Sequence, residues 1–135
     1  MLEKTLIIIK PDVYQDFGIE IANDLVDAGF EILESKEYIF DAETVKIFFL
    51  PQLKNISEHF INIIVGKPVN IMILEKENAI SDLKKLVGKE DPRLAEKGTI
   101  RRLYGVDKDH NAVYCPQNIK EVDWDIKFFF SSDVI

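Results

Sequence analysis

One segment, residues 69–74, constrains the fold of this chain more than any other. Its residues have strand composition and are apolar on both faces apart from Asn70, a pattern typical of a strand in the middle of a sheet. A second β-branched run, residues 5–9, is followed by Lys10-Pro11-Asp12 and predicts a buried strand that ends in a proline turn. Lys10 is therefore expected at the end of a buried strand.

The rest of the chain alternates helical and strand patterns. Gly29 is placed to stop the first helix, whereas Asp41 can cap the second helix and Pro51 limits it. Residues 88–111 have no clear period and are interrupted by glycine and proline, so a long connection is expected there. Helices are predicted over residues 18–27, 45–49, 59–64, 79–87 and 119–129, and strands over residues 30–40 and 112–115.

This order of elements predicts one α/β domain over residues 1–135, a length typical of a single domain. With 47% hydrophobic and 30% charged residues, the composition is that of a globular protein and excludes collagen-like and disordered classes. The predicted architecture is a ferredoxin-like sandwich, in which a four-stranded antiparallel sheet carries helices on one face.

The charge balance argues against polyanionic partners. The 17 Lys and Arg residues against 24 Asp and Glu residues give a net charge of −7, which repels nucleic acid and anionic membranes. No apolar run reaches the roughly 18 residues that a membrane span needs, and the first residues have no cleavage-site pattern. The single cysteine, Cys115, cannot form an internal disulfide. A cytoplasmic protein is therefore expected.

A local basic cluster remains compatible with a small phosphorylated ligand. Seven Lys and Arg residues fall within residues 84–102, interrupted by acidic side chains. This pattern is also that of a solvated mixed-charge face, so composition alone leaves both interpretations open.

Three stretches together resemble the nucleoside diphosphate kinase family. They are residues 4–12 (Lys-Thr-Leu-Ile-Ile-Ile-Lys-Pro-Asp), residues 66–69 (Gly-Lys-Pro-Val) and residues 98–101 (Gly-Thr-Ile-Arg), the last followed ten residues later by Asn111. The resemblance covers nearly the whole chain and implies the nucleoside diphosphate kinase fold. Residues 98–105 look most like the divergent branch of the family that is often found in cilium- or flagellum-associated proteins.

Active members, as the resemblance implies, move the γ-phosphate of a nucleoside triphosphate to a diphosphate through a phosphohistidine, with Mg²⁺. Cationic and amide donors around the phosphates suit this chemistry, since phosphoryl transfer depends mostly on positioning and charge stabilisation. The resemblance assigns Lys10 and Arg101 to phosphate charge and Asn111 to the sugar and phosphate side. Lys84 stands in place of an arginine and Phe49 in place of a tyrosine on the nucleotide side.

Other positions depart from the family pattern. The resemblance puts Tyr114 at the position of the nucleophilic histidine, and Cys115-Pro116 follows in place of a Gly-Ser pair. A phenol with a pKa of about 10 is almost wholly protonated near neutral pH, whereas neutral imidazole is a ready nucleophile. Asp125, at the position of the acid that orients the histidine, is expected either to accept a phenol hydrogen bond or to lie near the surface.

Two further departures concern the nucleotide pocket. Three other side chains are candidate nucleophiles. Glu90 replaces a threonine hydroxyl with an anion, and Phe60 is the nearest counterpart of the base-stacking phenylalanine. His59 is expected to face solvent from the helix over residues 59–64, and His110 lies too far along the chain from position 114. Cys115 is expected to be a buried thiol that points to the opposite face from its neighbour.

These observations predict a nucleoside diphosphate kinase-like pseudoenzyme with no catalytic residue. It is expected to retain nucleotide binding through Lys10, Phe49, Lys84, Arg101 and Asn111, with Mg²⁺ arriving on the nucleotide rather than at a metal site of its own. The expected partners are a nucleoside di- or triphosphate and a second copy in a homodimer, in an interaction or regulatory role. The alternative is an active kinase that uses an unconventional phosphate acceptor.

Overall fold

The computed structural model describes residues 1–51 and 56–130. The elements in chain order are β1 (Leu2–Ile9), α1 (Pro11–Asp27), β2 (Glu31–Ile39), α2 (Ala42–Phe49), α3 (Glu58–Ile64), β3 (Pro68–Glu77), α4 (Ala79–Val87), α5 (Ile100–Tyr104), β4 (Val113–Tyr114) and α6 (Ile119–Phe130). The predicted order of strands and helices is confirmed, with one helix, α5, added.

The four strands form one antiparallel sheet in the order β2-β3-β1-β4. β1 and β3 are the central strands, which confirms the prediction of a central strand over residues 69–74 and of a buried strand over residues 5–9. Ile8 pairs with Ile71 on one side and with Tyr114 on the other. Thr5 to Ile9 are fully buried. β4 lies beside β1, so the end of β1 and the short strand that carries Tyr114 are held together by the sheet.

Helices cover both faces of the sheet, so the prediction of helices on one face is wrong. Ile7 and Ile9 of β1 belong to a core with α1 and α4, whereas Leu6 and Ile8 belong to a second core with α2, α3 and α6. Successive side chains of a strand point to opposite faces. A strand that is apolar on both faces therefore needs a helical layer on each side, because each fully buried aliphatic side chain contributes about 1.5–3 kcal/mol.

Local signals explain where several helices begin. Pro11 is the first residue of α1 rather than part of a turn, which corrects the prediction at Lys10-Pro11-Asp12. Proline suits this position because its fixed φ is helical and its missing N–H has no helical partner there. The predicted cap at Asp41 is confirmed: its carboxylate accepts from the Thr44 N–H at 2.7 Å, and the Thr44 hydroxyl accepts from the Asp41 N–H at 2.9 Å.

The region predicted as one long connection contains α5, a helix of five residues. The Thr99 hydroxyl accepts from the N–H of Arg102 at 3.3 Å and so caps it. Ile100 is its one buried residue, which is too few for a helical period to appear in the sequence. Across residues 1–51 and 56–130, every helix is too short or too polar to cross a bilayer.

Candidate functional site

Two neighbouring cavities open where β1 and β4 end. The aromatic cavity, of about 400 Å³, is lined by Lys10, Phe49, Ile56, Ser57, Phe60, Lys108, Asp109, Asn111 and Val113. The lysine cavity, of about 670 Å³, is lined by Lys84, Lys85, Gly88, Lys89, Glu96, Thr99, Cys115, Gln117 and Glu121. Glu90, Arg101 and Tyr114 line both cavities. The two cavities therefore share a wall that carries a cation, an anion and a phenol.

The predicted nucleotide-binding residues divide between these cavities. Lys10, Phe49 and Asn111 line the aromatic cavity, and Arg101 lies on the shared wall. Lys84 lines the lysine cavity. Four of the five predicted residues thus border the aromatic cavity, and the fifth, Lys84, lines the neighbouring lysine cavity.

Lys10 follows β1 directly and is held at the base of the aromatic cavity. Its Nζ donates to the backbone oxygen of Asp109 and to Oδ1 of Asn111, both at 2.8 Å, and 2% of the residue is exposed. Burial lowers the pKa of the Lys10 ammonium to about 8, although the charge of Asp12 opposes that effect. An anion bound in this cavity would favour the charged form and raise this pKa again.

Asn111 connects Lys10 to the turn that precedes β4. Its Nδ2 donates to the backbone oxygen of Glu90 at 3.1 Å. The next residue, Ala112, has a φ of 75°, and the Val113 N–H donates back to the Asn111 oxygen at 2.9 Å, which is the hydrogen bond of a γ-turn. The Asp12 carboxylate accepts from the Ala112 N–H at 3.2 Å. These contacts hold a strained turn immediately before Tyr114.

Arg101 is bound mainly to the backbone. Its guanidinium donates to the carbonyl oxygens of Asn111 at 3.3 Å, Gly88 at 3.0 Å and Val113 at 2.9 Å. Burial lowers its pKa. A guanidinium has five N–H donors, so two remain for a ligand after these bonds. Arg101 therefore joins the end of α4 to the turn before Tyr114, a role that a basic residue in a sequence does not reveal.

Tyr114 is mostly buried and bound to an acid. Its hydroxyl donates to Oδ2 of Asp125 at 2.8 Å, and Asp125 has 0% exposure. The rings of Phe48 and Phe49 meet the Tyr114 ring edge-on, with centroids 5.6 Å away. Burial and the Asp125 charge raise the pKa of the phenol far above its usual range. Of the two positions expected for Asp125, the structure has the one that accepts the phenol hydrogen bond.

The structure also locates the three other candidate nucleophiles. Cys115 lies 4% exposed in the core on the opposite side from Tyr114, as predicted, and burial raises the pKa of its thiol to about 11. Nδ1 of His110 lies 3.0 Å from Oδ1 of Asp107. His59 is exposed, with Nε2 3.8 Å from Oδ2 of Asp109.

The sequence alone did not single out Lys108 and Asp109, although both line the aromatic cavity. They belong to a turn in which Oδ1 of Asp107 accepts from the N–H groups of Asp109 at 3.1 Å and His110 at 2.8 Å. Hydrogen bonds from His110, first its backbone N–H and then its ring, are the main cause that holds the pKa of Asp107 at about 2. The signal that could have located this turn is the short polar run that leads into Asn111. Within the described residues, no three His, Cys, Asp or Glu side chains form a group that could hold a metal ion.

Comparison with known proteins agrees with this geometry. A sequence model of the family described as nucleoside diphosphate kinase matches residues 3–135. The nucleoside diphosphate kinase of Chlorobaculum tepidum is 31% identical over 136 residues, which cover 99% of this chain and 97% of that protein. The crystal structure of the Aquifex aeolicus enzyme has a TM-score of 0.90 at 28% identity and covers 100% of this chain and 99% of that chain.

A halophilic nucleoside diphosphate kinase from Halobacterium salinarum, solved in complex with CDP, has a TM-score of 0.88 at 27% identity and covers 98% of this chain and 90% of that chain. Three observations indicate the same family: the order of the strands in the sheet, the helices on both of its faces, and the match along almost the entire sequence. This chain belongs to the nucleoside diphosphate kinase family.

Proposed function

We propose that this protein binds a nucleoside di- or triphosphate in the aromatic cavity but does not transfer its phosphate, and that it serves an interaction or regulatory role. One observation carries the proposal: the hydroxyl of Tyr114 donates to the fully buried Asp125 at 2.8 Å. By resemblance, Tyr114 occupies the position of the family's nucleophilic histidine. The proposed pseudoenzyme therefore keeps the pocket and lacks the phosphate acceptor.

The aromatic cavity suits a nucleotide in size and composition. Its volume of about 400 Å³ lies within the range of small-molecule sites. Phe60 offers a ring on which a base can stack, and Nζ of Lys10 lies 5.4 Å from the centre of that ring. Lys10 and the two remaining N–H groups of Arg101 supply positive charge for phosphates. The CDP complex of the Halobacterium salinarum relative supports nucleotide as the ligand class.

Phosphate transfer through Tyr114 is opposed by the proton that the phenol must lose. Its hydrogen-bond partner, the carboxylate of Asp125, can accept that proton. Ordinary pKa values of about 10 for the phenol and about 4 for the carboxyl put this transfer about 8 kcal/mol uphill. Burial disfavours the phenolate further. A phosphotyrosine would also be an ester, which transfers its phosphate less readily than an N-phosphoryl imidazole.

Magnesium would enter with the nucleotide. Glu90 is a carboxylate on the wall that both cavities share, close enough to Arg101 for its charge to act on that group. Mg²⁺ is usually held by one or two carboxylates together with substrate phosphates, so Glu90 fits a magnesium ion carried by a bound nucleotide. The ion would offset the repulsion between this carboxylate and the phosphates, which is on the order of 1–4 kcal/mol per pair of unit charges at about 4 Å.

The absence of transfer is tested by measuring GTP formation from ATP and GDP with Mg²⁺, using protein freed of host kinase. We expect no turnover above that of a Tyr114→Phe variant. Turnover in the wild-type protein that disappears in Tyr114→Phe would overturn the pseudoenzyme proposal. The alternative of an unconventional acceptor predicts a covalent phosphoenzyme after incubation with γ-labelled ATP, and we expect none.

Nucleotide binding is tested separately by calorimetry with Mg-ADP. We expect Phe60→Ala to weaken binding roughly 5- to 150-fold, because stacking of one base contributes about 1–3 kcal/mol. Leu103→Ala is the matched control, since this side chain is 58% exposed and does not line the aromatic cavity. Absence of binding at millimolar Mg-ADP would refute the nucleotide part of the proposal and leave a scaffold protein.

A homodimer is the proposed assembly. The edge strand β2 pairs with β3 alone among the described strands, and an unpaired edge can accept another chain. Ile39 on β2 and Ile19 on α1 are 60% and 76% exposed. Light scattering should report twice the mass of one chain, and a monomer at all concentrations would contradict this assembly.

A further inference from the structure

The aromatic cavity has two chemically different ends. Arg101 and Tyr114 belong to the wall that it shares with the lysine cavity. Phe60, Lys108 and Asp109 line only the aromatic cavity. A nucleotide whose phosphates lie toward Arg101 must direct its base toward the other end. The base would therefore meet an aromatic ring, an ammonium group and a carboxylate.

The turn that carries Lys108 and Asp109 is fixed to the protein at several points. Its backbone is held by the Asp107 carboxylate, and the Val106 N–H donates to the His110 oxygen at 2.7 Å. The backbone oxygen of Asp109 accepts from Lys10 at 2.8 Å. The turn is thus built before any ligand arrives, which reduces the entropy lost on binding.

The carboxylate of Asp109 lies beside the helix that carries Phe60. Its Oδ2 is 3.8 Å from Nε2 of His59, the residue before Phe60 on α3. The ring of His59 also meets that of His110, with centroids 5.5 Å apart. The turn and α3 therefore contact each other, and Lys108 and Asp109 line the same cavity as Phe60.

Lys108 and Asp109 offer opposite hydrogen-bonding groups. An ammonium only donates and an ionised carboxylate only accepts. Among residues 1–51 and 56–130, no hydrogen bond or close ion pair engages the Lys108 ammonium, although its charge acts on Asp91. The Asp109 carboxylate is 39% exposed; it lies near His59, and its charge also acts on Lys10. Both groups are available to a ligand.

Guanine matches this pair, whereas adenine opposes it. Guanine presents an acceptor, O6, next to two donors, N1–H and the 2-amino group. Adenine presents a donor, the 6-amino group, next to an acceptor, N1. Against adenine, Lys108 would meet a donor and Asp109 would meet an acceptor, so two polar groups would lose their water without gaining partners.

We propose that Lys108 and Asp109 select the base of the bound nucleotide and make this protein a guanine nucleotide binder. The ammonium donates to O6, and the carboxylate accepts from N1–H and the 2-amino group. This inference rests on the proposed nucleotide binding in the aromatic cavity and adds the class of base. Uracil shares the keto and N–H groups but has a smaller stacking surface and no 2-amino group, so it ranks below guanine.

The test compares GDP, inosine diphosphate and ADP by calorimetry at one magnesium and salt concentration. Inosine diphosphate differs from ADP at the edge in question and from GDP only by the 2-amino group. We expect GDP to bind about tenfold more tightly than ADP, with inosine diphosphate between them, since a matched pair of contacts to a base edge discriminates by about that factor or more.

Two variants and one control locate the selectivity. Lys108→Met and Asp109→Asn should each bring the affinity ratio of GDP to ADP down to about threefold or less, because each removes one matched contact. Lys85→Met removes an exposed charge from the lysine cavity, so it should leave that ratio unchanged while lowering both affinities alike. Thermal melting of each variant checks that the fold is retained.

The outcomes separate the two proposals. Equal affinities for the three nucleotides would overturn base selection and leave nucleotide binding intact. A preference for ADP, or a preference for GDP that survives both variants, would overturn the assignment of selection to Lys108 and Asp109. If none of the three nucleotides binds at millimolar concentration, the proposed nucleotide binding fails and base selection fails with it.

Discussion

Replacing Arg101 by alanine should destabilise the folded protein even when no nucleotide is present. The family resemblance assigns this residue to phosphate charge, whereas in the structure its guanidinium donates to the backbone oxygens of Gly88, Asn111 and Val113. These hydrogen bonds join the end of α4 to the turn before β4. Alanine would leave three partly buried carbonyl groups without that donor.

The magnitude follows from the number of bonds. At about 1 kcal/mol of net stability for each hydrogen bond, Arg101→Ala should lower the free energy of unfolding by about 3 kcal/mol. For a chain of 135 residues, this loss corresponds to a fall in Tm of about 10 °C, given an unfolding entropy of about 2.1 cal/mol/K per residue. Arg101→Lys keeps the charge but cannot reach three carbonyls in a fork geometry, so it should lose about 2 kcal/mol.

The assay is denaturant unfolding of the nucleotide-free protein, followed by far-UV circular dichroism. Lys84→Ala is the matched control, because this side chain lines the same lysine cavity and makes no hydrogen bond to another described residue. It should change the free energy of unfolding by less than about 0.5 kcal/mol. An Arg101→Ala variant as stable as the wild type would refute the backbone role and return Arg101 to ligand binding alone.

Two further predictions concern the site. Tyr114→His should restore little or no GTP formation, because Glu90 and Pro116 also depart from the family pattern; rapid turnover in this variant would contradict that view. Nucleotide affinity should fall as the pH rises through about 8, because burial lowers the pKa of Lys10 to about 8 and a bound phosphate favours the charged form. Binding near pH 8.5 should therefore take up protons, measurable by calorimetry in buffers of different ionisation enthalpy. The uptake should be absent in Lys10→Arg, and uptake that persists there would assign it to another group.

The lowered pKa of Lys10 also makes the free energy of unfolding depend on pH. Its folded pKa of about 8 lies below the ordinary value of 10.5, so the unfolded chain binds more protons between these two pH values. Lys10 therefore destabilises the fold below about pH 8, and this cost is relieved as the pH rises toward 10.5. The same cost is relieved at neutral pH when an anion enters the cavity, which couples folding stability to ligand binding.

The local elements of this protein could be predicted from its sequence. Apolar runs identified β1 and β3, side-chain spacing identified α4 and α6, and Asp41 identified the start of α2, because these patterns act over a few residues. The short helix α5 escaped detection because one buried residue shows no period. The helices on both faces were missed, although the two-sided apolar character of β3 required them.

The sequence by itself determined the family, the central position of β3, the buried strand β1 and the assignment of Lys10, Asn111 and Tyr114 to one site. Only the tertiary structure decided what these residues contact. Lys10 bonds to Asn111 across 101 positions of the chain, and Tyr114 bonds to Asp125 on another element. The spacing of apolar residues along a helix or strand does not indicate such distant pairs. They exist because β1 and β4 are neighbours in the sheet, which brings the ends of separate elements to one cavity.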